Sequence, residues 1–373
     1  MRSLAIISHT EHYVINNQVV GWEPTVREIN YLAGKIDEIY HIAPLHSGYT
    51  KKPNMPYASN ITFVALKPSG GNSFIKKINI IYHLSYNLFK IMKIIKKVKW
   101  IHVRLPMNLG IFLIPLLYLY KKKYKWVKYA GNWKQINIPL TYSIQRWLLN
   151  KNIQKSFVTI NGVWEGQKQH LLSFNNPCMT NKELIYANEI AKEKSFFEKL
   201  TFCFVGRFDN NKGINRVMSV LELIERKEWV ADIYIVGEGT EKIQKLDSEK
   251  IKWCGWLPRK KINAIYEKAH IIILPTLSEG FPKVLSEAAS YGCVPIVSDI
   301  APINQFIVNN TNGLLLDKPY IVSLEKIVRD LDEKRRVLND LSASVVKLSK
   351  YFTYNYYYDQ LNSKILNRIE KEN

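Results

Sequence analysis

The chain has 373 residues, 47% of them hydrophobic, and a formal charge of +21 from 53 Lys and Arg against 32 Asp and Glu. That apolar share excludes a disordered protein, and the length predicts two domains. The charge favours acidic partners such as phosphorylated substrates or anionic lipid and says nothing of fold.

The first apolar run, Ser3–Ser8, reads as a buried strand and not as a secretory signal, because it turns polar at His9 and lacks a small-residue cleavage site. Further strand-length runs follow at Glu38–Ala43, Ile61–Ala65, Trp100–Arg104, Trp126–Ala130 and Ser156–Ile160, then at Thr201–Val205, Asp232–Val236, Ile251–Cys254, Ile271–Pro275 and Val294–Ser298. Amphipathic stretches of helical length separate most of them. This alternation predicts an α/β fold with two doubly wound parallel sheets. Pro177 and the charged stretch Glu189–Lys199 place the boundary between the sheets, giving domains 1–185 and 186–350. An aromatic helical tail, 351–373, is expected to pack back on a domain. The longest apolar run, Leu109–Tyr120, is too short to span a bilayer.

Between the strands lie two basic features. Lys76–Lys97 has apolar positions at Ile80, Ile81, Leu84, Leu88, Ile91, Met92 and Ile95 with lysines around them. It fits a helix with a solvated lysine face and also a membrane-surface helix. Lys121-Lys122-Lys123 extends the basic character. No nucleic-acid module accompanies the charge. The four cysteines, Cys178, Cys203, Cys254 and Cys293, show no C-x-x-C spacing and are expected as buried free thiols of a reducing compartment. Asp330-Leu331-Asp332 has the outline of a metal-nucleotide signature but falls in a charged helical run, where a solvated face is the expectation.

Four turns follow strands of the second half. Gly206-Arg207 with Lys212-Gly213 offers a tight turn and two cations for a diphosphate. Gly237 within Val236-Gly237-Glu238-Gly239, and Gly255-Trp256-Leu257, end the next two strands. The last turn, Ser278-Glu279-Gly280-Phe281-Pro282-Lys283-Val284, carries one carboxylate before a helix start and a second, Glu287, a helical turn later. Pro282 suits the first helical position, and the N–H groups of Gly280 and Phe281 would face an anion at that helix end. Such a layout matches a nucleotide-sugar: hydroxyl-rich sugar, diphosphate, ribose.

Taken together, these turns resemble the retaining nucleotide-sugar glycosyltransferases of family 4 (group 1). The resemblance runs from Leu200 to about Asp317 and includes Gly292-Cys293-Val294-Pro295 and Asn312-Gly313-Leu314-Leu315. It implies the GT-B architecture, with two Rossmann-like domains facing a cleft and a C-terminal helix crossing back to the first. It implies that Arg207 and Lys212 hold the donor diphosphate, that Glu279 contacts the transferred sugar, that Glu287 binds ribose hydroxyls, and that Gly255-Trp256-Leu257 borders the base. The acceptor side would draw on His9, Gly21, Trp22, His102, Arg104, Asn132 and Trp133 in the first half. There the chain departs from the family, since Tyr129-Ala130-Gly131-Asn132-Trp133 stands where a polar pair with histidine is frequent.

The expected activity is metal-independent transfer of a sugar, with retention, from a nucleotide-diphosphate donor to a glycan or polyprenyl-linked acceptor in bacterial capsule, O-antigen or exopolysaccharide assembly. No cofactor beyond the donor substrate and no nucleic acid is expected. The setting would be the cytoplasm or the inner face of the plasma membrane, with an anionic membrane surface as a candidate partner. A sugar-nucleotide epimerase of the same fold and a non-catalytic glycan-binding protein are the alternatives.

Overall fold

The structure, a computed structural model, describes residues 2–50, 52–68, 74–136 and 138–371, of which 74–82 and 371 by backbone alone. The chain divides into two compact units, Met1–Phe174 with Tyr358–Asn373, and Asn175–Tyr357.

The first unit runs β1 (Ser3–Ile7), β2 (His12–Ile15), β3 (Gln18–Trp22), α1 (Glu23–Ala33), β4 (Glu38–Pro44), β5 (Asn54–Pro56), β6 (Ile61–Leu66), α2 (Phe74–Lys97), β7 (Trp100–Leu105), α3 (Gly110–Leu119), β8 (Tyr124–Tyr129), α4 (Leu140–Asn150), β9 (Phe157–Ile160) and β10 (Leu171–Ser173). Seven of these strands form one parallel sheet in the order β10-β9-β8-β7-β1-β4-β6. Its central strands are buried on both faces, as continuous runs such as Leu4-Ala5-Ile6-Ile7 require. The antiparallel trio β2-β3-β5 lies beside it and was not foreseen. Its hairpin turns on Asn16 and Asn17, with φ of 49° and 60°, the left-handed pair that a two-residue turn demands.

The second unit runs α5 (Asn181–Glu193), β11 (Leu200–Val205), α6 (Ile214–Glu225), β12 (Val230–Val236), β13 (Ile251–Gly255), α7 (Arg259–Lys268), β14 (Ile271–Leu274), α8 (Lys283–Ser290), β15 (Val294–Ser298), β16 (Leu314–Leu316), α9 (Tyr320–Asp330) and α10 (Arg335–Val346). Its six strands are parallel in the order β13-β12-β11-β14-β15-β16. Counted in chain order this is 3-2-1-4-5-6, the doubly wound arrangement whose direction reverses between β11 and β14. Every residue of β11 and β14 is buried, which fixes these two strands as the spine of the unit.

Two boundaries differ from expectation. The first unit ends at Phe174, not at 185, because residues after it bind the second unit: Cys178 N–H donates to Phe352 O at 2.9 Å, and Thr180 caps α5 through a reciprocal box with Glu183. The chain rejoins the first unit at Tyr358, within α11 (Tyr354–Leu361), rather than at 351. A π-turn at Asn362–Leu366 leads to α12 (Asn367–Lys371), which Arg2–Glu370 (2.9 Å) and Arg368 over Phe157 tie to that unit.

The sequence expectation for Lys76–Lys97 is met as the helix α2, although the side chains of Lys76, Lys77, Ile80 and Ile81 lie outside the described residues. Among the described residues no helix is long and apolar enough to cross a membrane. The four cysteines are unbridged, three of them buried and Cys254 half-buried. Asp330 and Asp332 pair with Lys334 and Arg335.

Candidate functional site

The turns that leave β11 and β14 meet at the reversal point of the second sheet, the edge where doubly wound folds place ligands. Asn211 stitches them together. Its O accepts from Leu277 N–H and from Thr276 Oγ1, both at 2.8 Å, and its Nδ2 donates to Ser278 O at 2.8 Å. Arg216 adds a bond from Nε to Pro275 O at 2.7 Å. Lys212 and Glu279 complete the link as an ion pair that is mostly shielded from solvent.

Glycine shapes this edge at two places. A Cβ on Gly237 would lie 1.8 Å from Gly206 O, so the β12 turn can approach the β11 turn only with glycine there, at φ 131°. Gly213, at φ 85°, precedes α6 and would place a Cβ 2.3 Å from Pro275 O. The β13 turn joins through Gly237 N–H to Gly255 O at 2.9 Å. Arg207 is exposed, and its Nε donates to Asp209 Oδ2 at 2.8 Å. The other oxygen of Asp209 accepts from Lys212 N–H at 2.8 Å, which fixes the loop between the two cations.

The helix start differs in detail from its expectation. Pro282 occupies the cap position, with ψ of 121°, and Lys283 is the first helical residue of α8. Proline's φ suits either place, and the extended ψ keeps Pro282 outside the helix. The Phe281 side chain is a core element, stacked on Phe352 at 4.5 Å and packed on Phe306 at 4.8 Å. It therefore offers a ligand only its backbone. Among the described residues neither the Gly280 nor the Phe281 N–H donates a hydrogen bond. Val284, Trp256 and Leu257 are half-buried.

Glu287 has a partner that sequence reasoning missed. Arg259, at the start of α7, donates from NH1 to Glu287 Oε1 at 2.5 Å and approaches Glu183 Oε1 at 3.4 Å. Burial, the largest effect on Arg259, disfavours its charge; Glu287, Cys178 and Glu183 together outweigh it and raise its pKa further above the ordinary arginine value. Twenty-eight residues separate Arg259 from Glu287, so no local pattern could have announced the pair.

In the first unit the corresponding reversal point lies between β1 and β7. His9 is exposed there and lines a cavity of about 40 Å³ with Ser8, Pro44, Leu66 and Asn108. The other acceptor-side candidates scatter. His102 is fully buried, stacked on Trp126 at 4.4 Å, and its pKa is held well below the ordinary value by burial and then by Arg104. It is a core histidine, because a β7 side chain pointing into the packed layer has no route to solvent. Trp133 is likewise buried against Tyr129, and Asn132 Oδ1 accepts from Lys134 N–H at 3.0 Å. Arg104 forms a bidentate pair with buried Glu28 (2.6 and 3.3 Å), which also receives Lys128 at 2.8 and 3.1 Å. Trp22 caps α1.

Gly21 serves an unforeseen network. A Cβ there would lie 2.4 Å from His12 Nε2. His12 and His41 are both fully buried, and both contact Tyr57 OH at 2.5 Å. His12 Nδ1 lies 3.3 Å from Pro44 O, which can only accept, so His12 donates from Nδ1 and accepts at Nε2 from Tyr57. Tyr57 then accepts from His41 Nδ1, and His41 Nε2 lies 2.8 Å from Ser8 Oγ. One protonation pattern links the two rings through Tyr57 with both neutral. Burial lowers His12 to about 4 and His41 well below its ordinary value, in agreement with that pattern.

Residues 186–346 match the family model described as Glycosyl transferases group 1. The match covers less than half of the chain and contains all four turns. Among curated proteins, a 41.2 kDa protein of the cps region of Klebsiella pneumoniae is 27% identical over 131 residues, 35% of each chain. The lipopolysaccharide 1,6-galactosyltransferase of Escherichia coli is 28% identical over 171 residues, 43% of this chain and 42% of that protein. The chain thus spans less than half the length of these relatives. Among solved structures, the sucrose-phosphate synthase of Thermosynechococcus elongatus superposes over 100% of both chains with a TM-score of 0.73 at 13% identity. That likeness and the two parallel sheets make the fold GT-B, built of two Rossmann-like domains.

Proposed function

We propose that the chain is a retaining glycosyltransferase (EC 2.4) that moves a sugar from a nucleotide-diphosphate donor to a glycan or polyprenyl-linked acceptor in bacterial surface polysaccharide assembly. The observation that carries this reading is the pairing of Lys212 with Glu279 where the second sheet reverses, with Arg207 on the same β11 turn held by Asp209. The group 1 family match, the relative from a cps region and the lipopolysaccharide galactosyltransferase support it.

In this scheme the bond between the sugar's anomeric carbon and the diphosphate oxygen breaks, and a bond to the acceptor oxygen forms on the same face. The acceptor hydroxyl passes its proton to an oxygen of the departing diphosphate as that group gains charge. Lys212, Arg207 and the amides of Gly280 and Phe281 stabilise that charge. Each such donor contributes about 10²–10³ in rate. Fixed cations take the part a metal would play, and no resident cofactor enters the scheme. Lys212 would be shared between the phosphate and Glu279, which leaves the carboxylate free to turn toward sugar hydroxyls. Arg259 would orient Glu287 toward the ribose, while Gly255, Trp256 and Leu257 would border the base. The reaction is set in the cytoplasm, the source of nucleotide-sugars.

Turnover of a panel of UDP- and GDP-sugars by the wild type, Arg207→Ala and Glu279→Gln tests the reading, with the product's anomeric configuration read by NMR. Loss of at least about 10² in rate for each folded variant is expected. Near-normal turnover in both, or an inverted product, contradicts it.

A further inference from the structure

Between Glu38 and Glu165 the sequence contains no Asp or Glu and twenty Lys and Arg, so the first unit holds nearly the whole excess positive charge. Within this stretch α3 reads Gly-Ile-Phe-Leu-Ile-Pro-Leu-Leu-Tyr-Leu, with no charged residue at all. A helix apolar on every side belongs in an interior. Yet Phe112 and Leu119 face outward, Leu119 being 71% exposed. Helix α4 repeats the pattern at helical spacing, with Leu140, Ile144 and Trp147 exposed, Leu140 at 75%.

These helices share one surface. Each crosses between neighbouring parallel strands, β7 to β8 and β8 to β9, and right-handed crossovers place both on one side of the sheet. Gln145 of α4 locks them in register: its Oε1 accepts from Met107 N–H at 3.2 Å, and its Nε2 donates to Met107 O at 2.9 Å. A Cβ on Gly110 would lie 2.3 Å from Gln145 Oε1, so the approach needs glycine. At the carboxyl end of α3, Lys125 Nζ donates to Leu117 O at 2.7 Å. Lys123 Nζ donates to Lys96 O at 3.1 Å, which sets the Lys121–Lys123 turn beside the lysine-rich end of α2.

We propose that the outer face of α3 and α4 docks on an anionic lipid bilayer, with Phe112, Leu119, Leu140, Ile144 and Trp147 entering the interfacial layer and the lysines of the α2 end and the Lys121–Lys123 turn meeting the headgroups. Large apolar side chains ringed by cations, without an acidic residue, suit an acyl-chain boundary beneath negative phosphates. A nucleic acid would leave the five apolar side chains without partners. The inference does not depend on the glycosyl-transfer reading.

Vesicle flotation of the full chain tests it. Vesicles of phosphatidylcholine alone should leave the protein unbound, and vesicles with about one third phosphatidylglycerol should carry it. The double variant Leu119→Asp/Ile144→Asp, at exposed positions and with unchanged Tm, should lose vesicle binding, whereas Val322→Asp on exposed α9 should retain it. Lys121→Ala/Lys122→Ala should weaken partitioning roughly thirtyfold, from two lysines near the charged surface. Binding that survives both aspartates, equal binding to neutral vesicles, or no binding at all overturns the proposal. So does self-association without lipid that the aspartates abolish, which would assign the face to a second copy of the chain.

Discussion

Removing Arg259 should destabilise the second unit by about 3 kcal/mol. Its side chain is 18% exposed and that of Glu287 11%, with 2.5 Å between NH1 and Oε1. Breaking one partner out of a fully buried pair costs about 3–5 kcal/mol, because the other charge stays uncompensated, and the partial exposure here selects the lower end. Arg259→Met strands Glu287 on α8 and withdraws the cation facing Glu183. Glu287→Gln should cost less, about 1–2 kcal/mol, since Arg259 keeps Glu183. The double variant Arg259→Met/Glu287→Gln should be more stable than the two separate losses predict, by at least about 1 kcal/mol. Urea denaturation of the full chain, followed by fluorescence and circular dichroism, measures all three on the transition they shift. Strict additivity, or an Arg259→Met loss below about 1 kcal/mol, would refute the account of a shared buried pair.

Three further outcomes follow from the same reasoning. Tyr57→Phe removes the hydroxyl between His12 and His41 and leaves two buried ring nitrogens without partners, a loss of about 2–4 kcal/mol measurable by urea denaturation. Acid should weaken the first unit: His12 titrates near 4 when folded because burial disfavours its charge, so its contribution is full above the ordinary value of 6.5 and is lost as pH falls toward 4. The limit is about 3 kcal/mol at 1.36 kcal/mol per pH unit, and a Tm that holds level from pH 7 to pH 4.5 would contradict it. Gly237→Ala should fail to keep the β11 and β12 turns together, since its methyl would overlap Gly206 O, and nucleotide-sugar binding should fall more than tenfold by calorimetry.

The parallel sheets were legible because strands buried on both faces must be apolar without interruption. All eleven strands expected from such runs are present within a few residues of their predicted bounds. The short ones escaped: β10 and β16 have three residues each, and β2, β3 and β5 form an edge sheet with mixed burial. Asn16-Asn17 between the short apolar runs Tyr13–Ile15 and Val19–Val20 was the available sign of the hairpin. In the second unit the candidate-site turns were visible as glycines and charges at strand ends, and the sheet order brings Lys212 and Glu279 together. What could not be read was their support. Asp209 holding both Arg207 and Lys212, Asn211 stitching two loops, and Arg259 gripping Glu287 are contacts set by tertiary approach. The first unit was less legible because a histidine or tryptophan at a strand end looks alike in sequence whether it faces solvent or the core, and His102 and Trp133 face the core.

The central claim is that the turn after β11 and the turn before α8 together grip a diphosphate. Amide chemical-shift mapping with UDP- and GDP-sugars reads this site directly. The largest shifts are predicted at Gly206, Lys212, Gly280 and Phe281, lost in Lys212→Ala. Shifts centred on other elements, or shifts unaltered by that substitution, would contradict it.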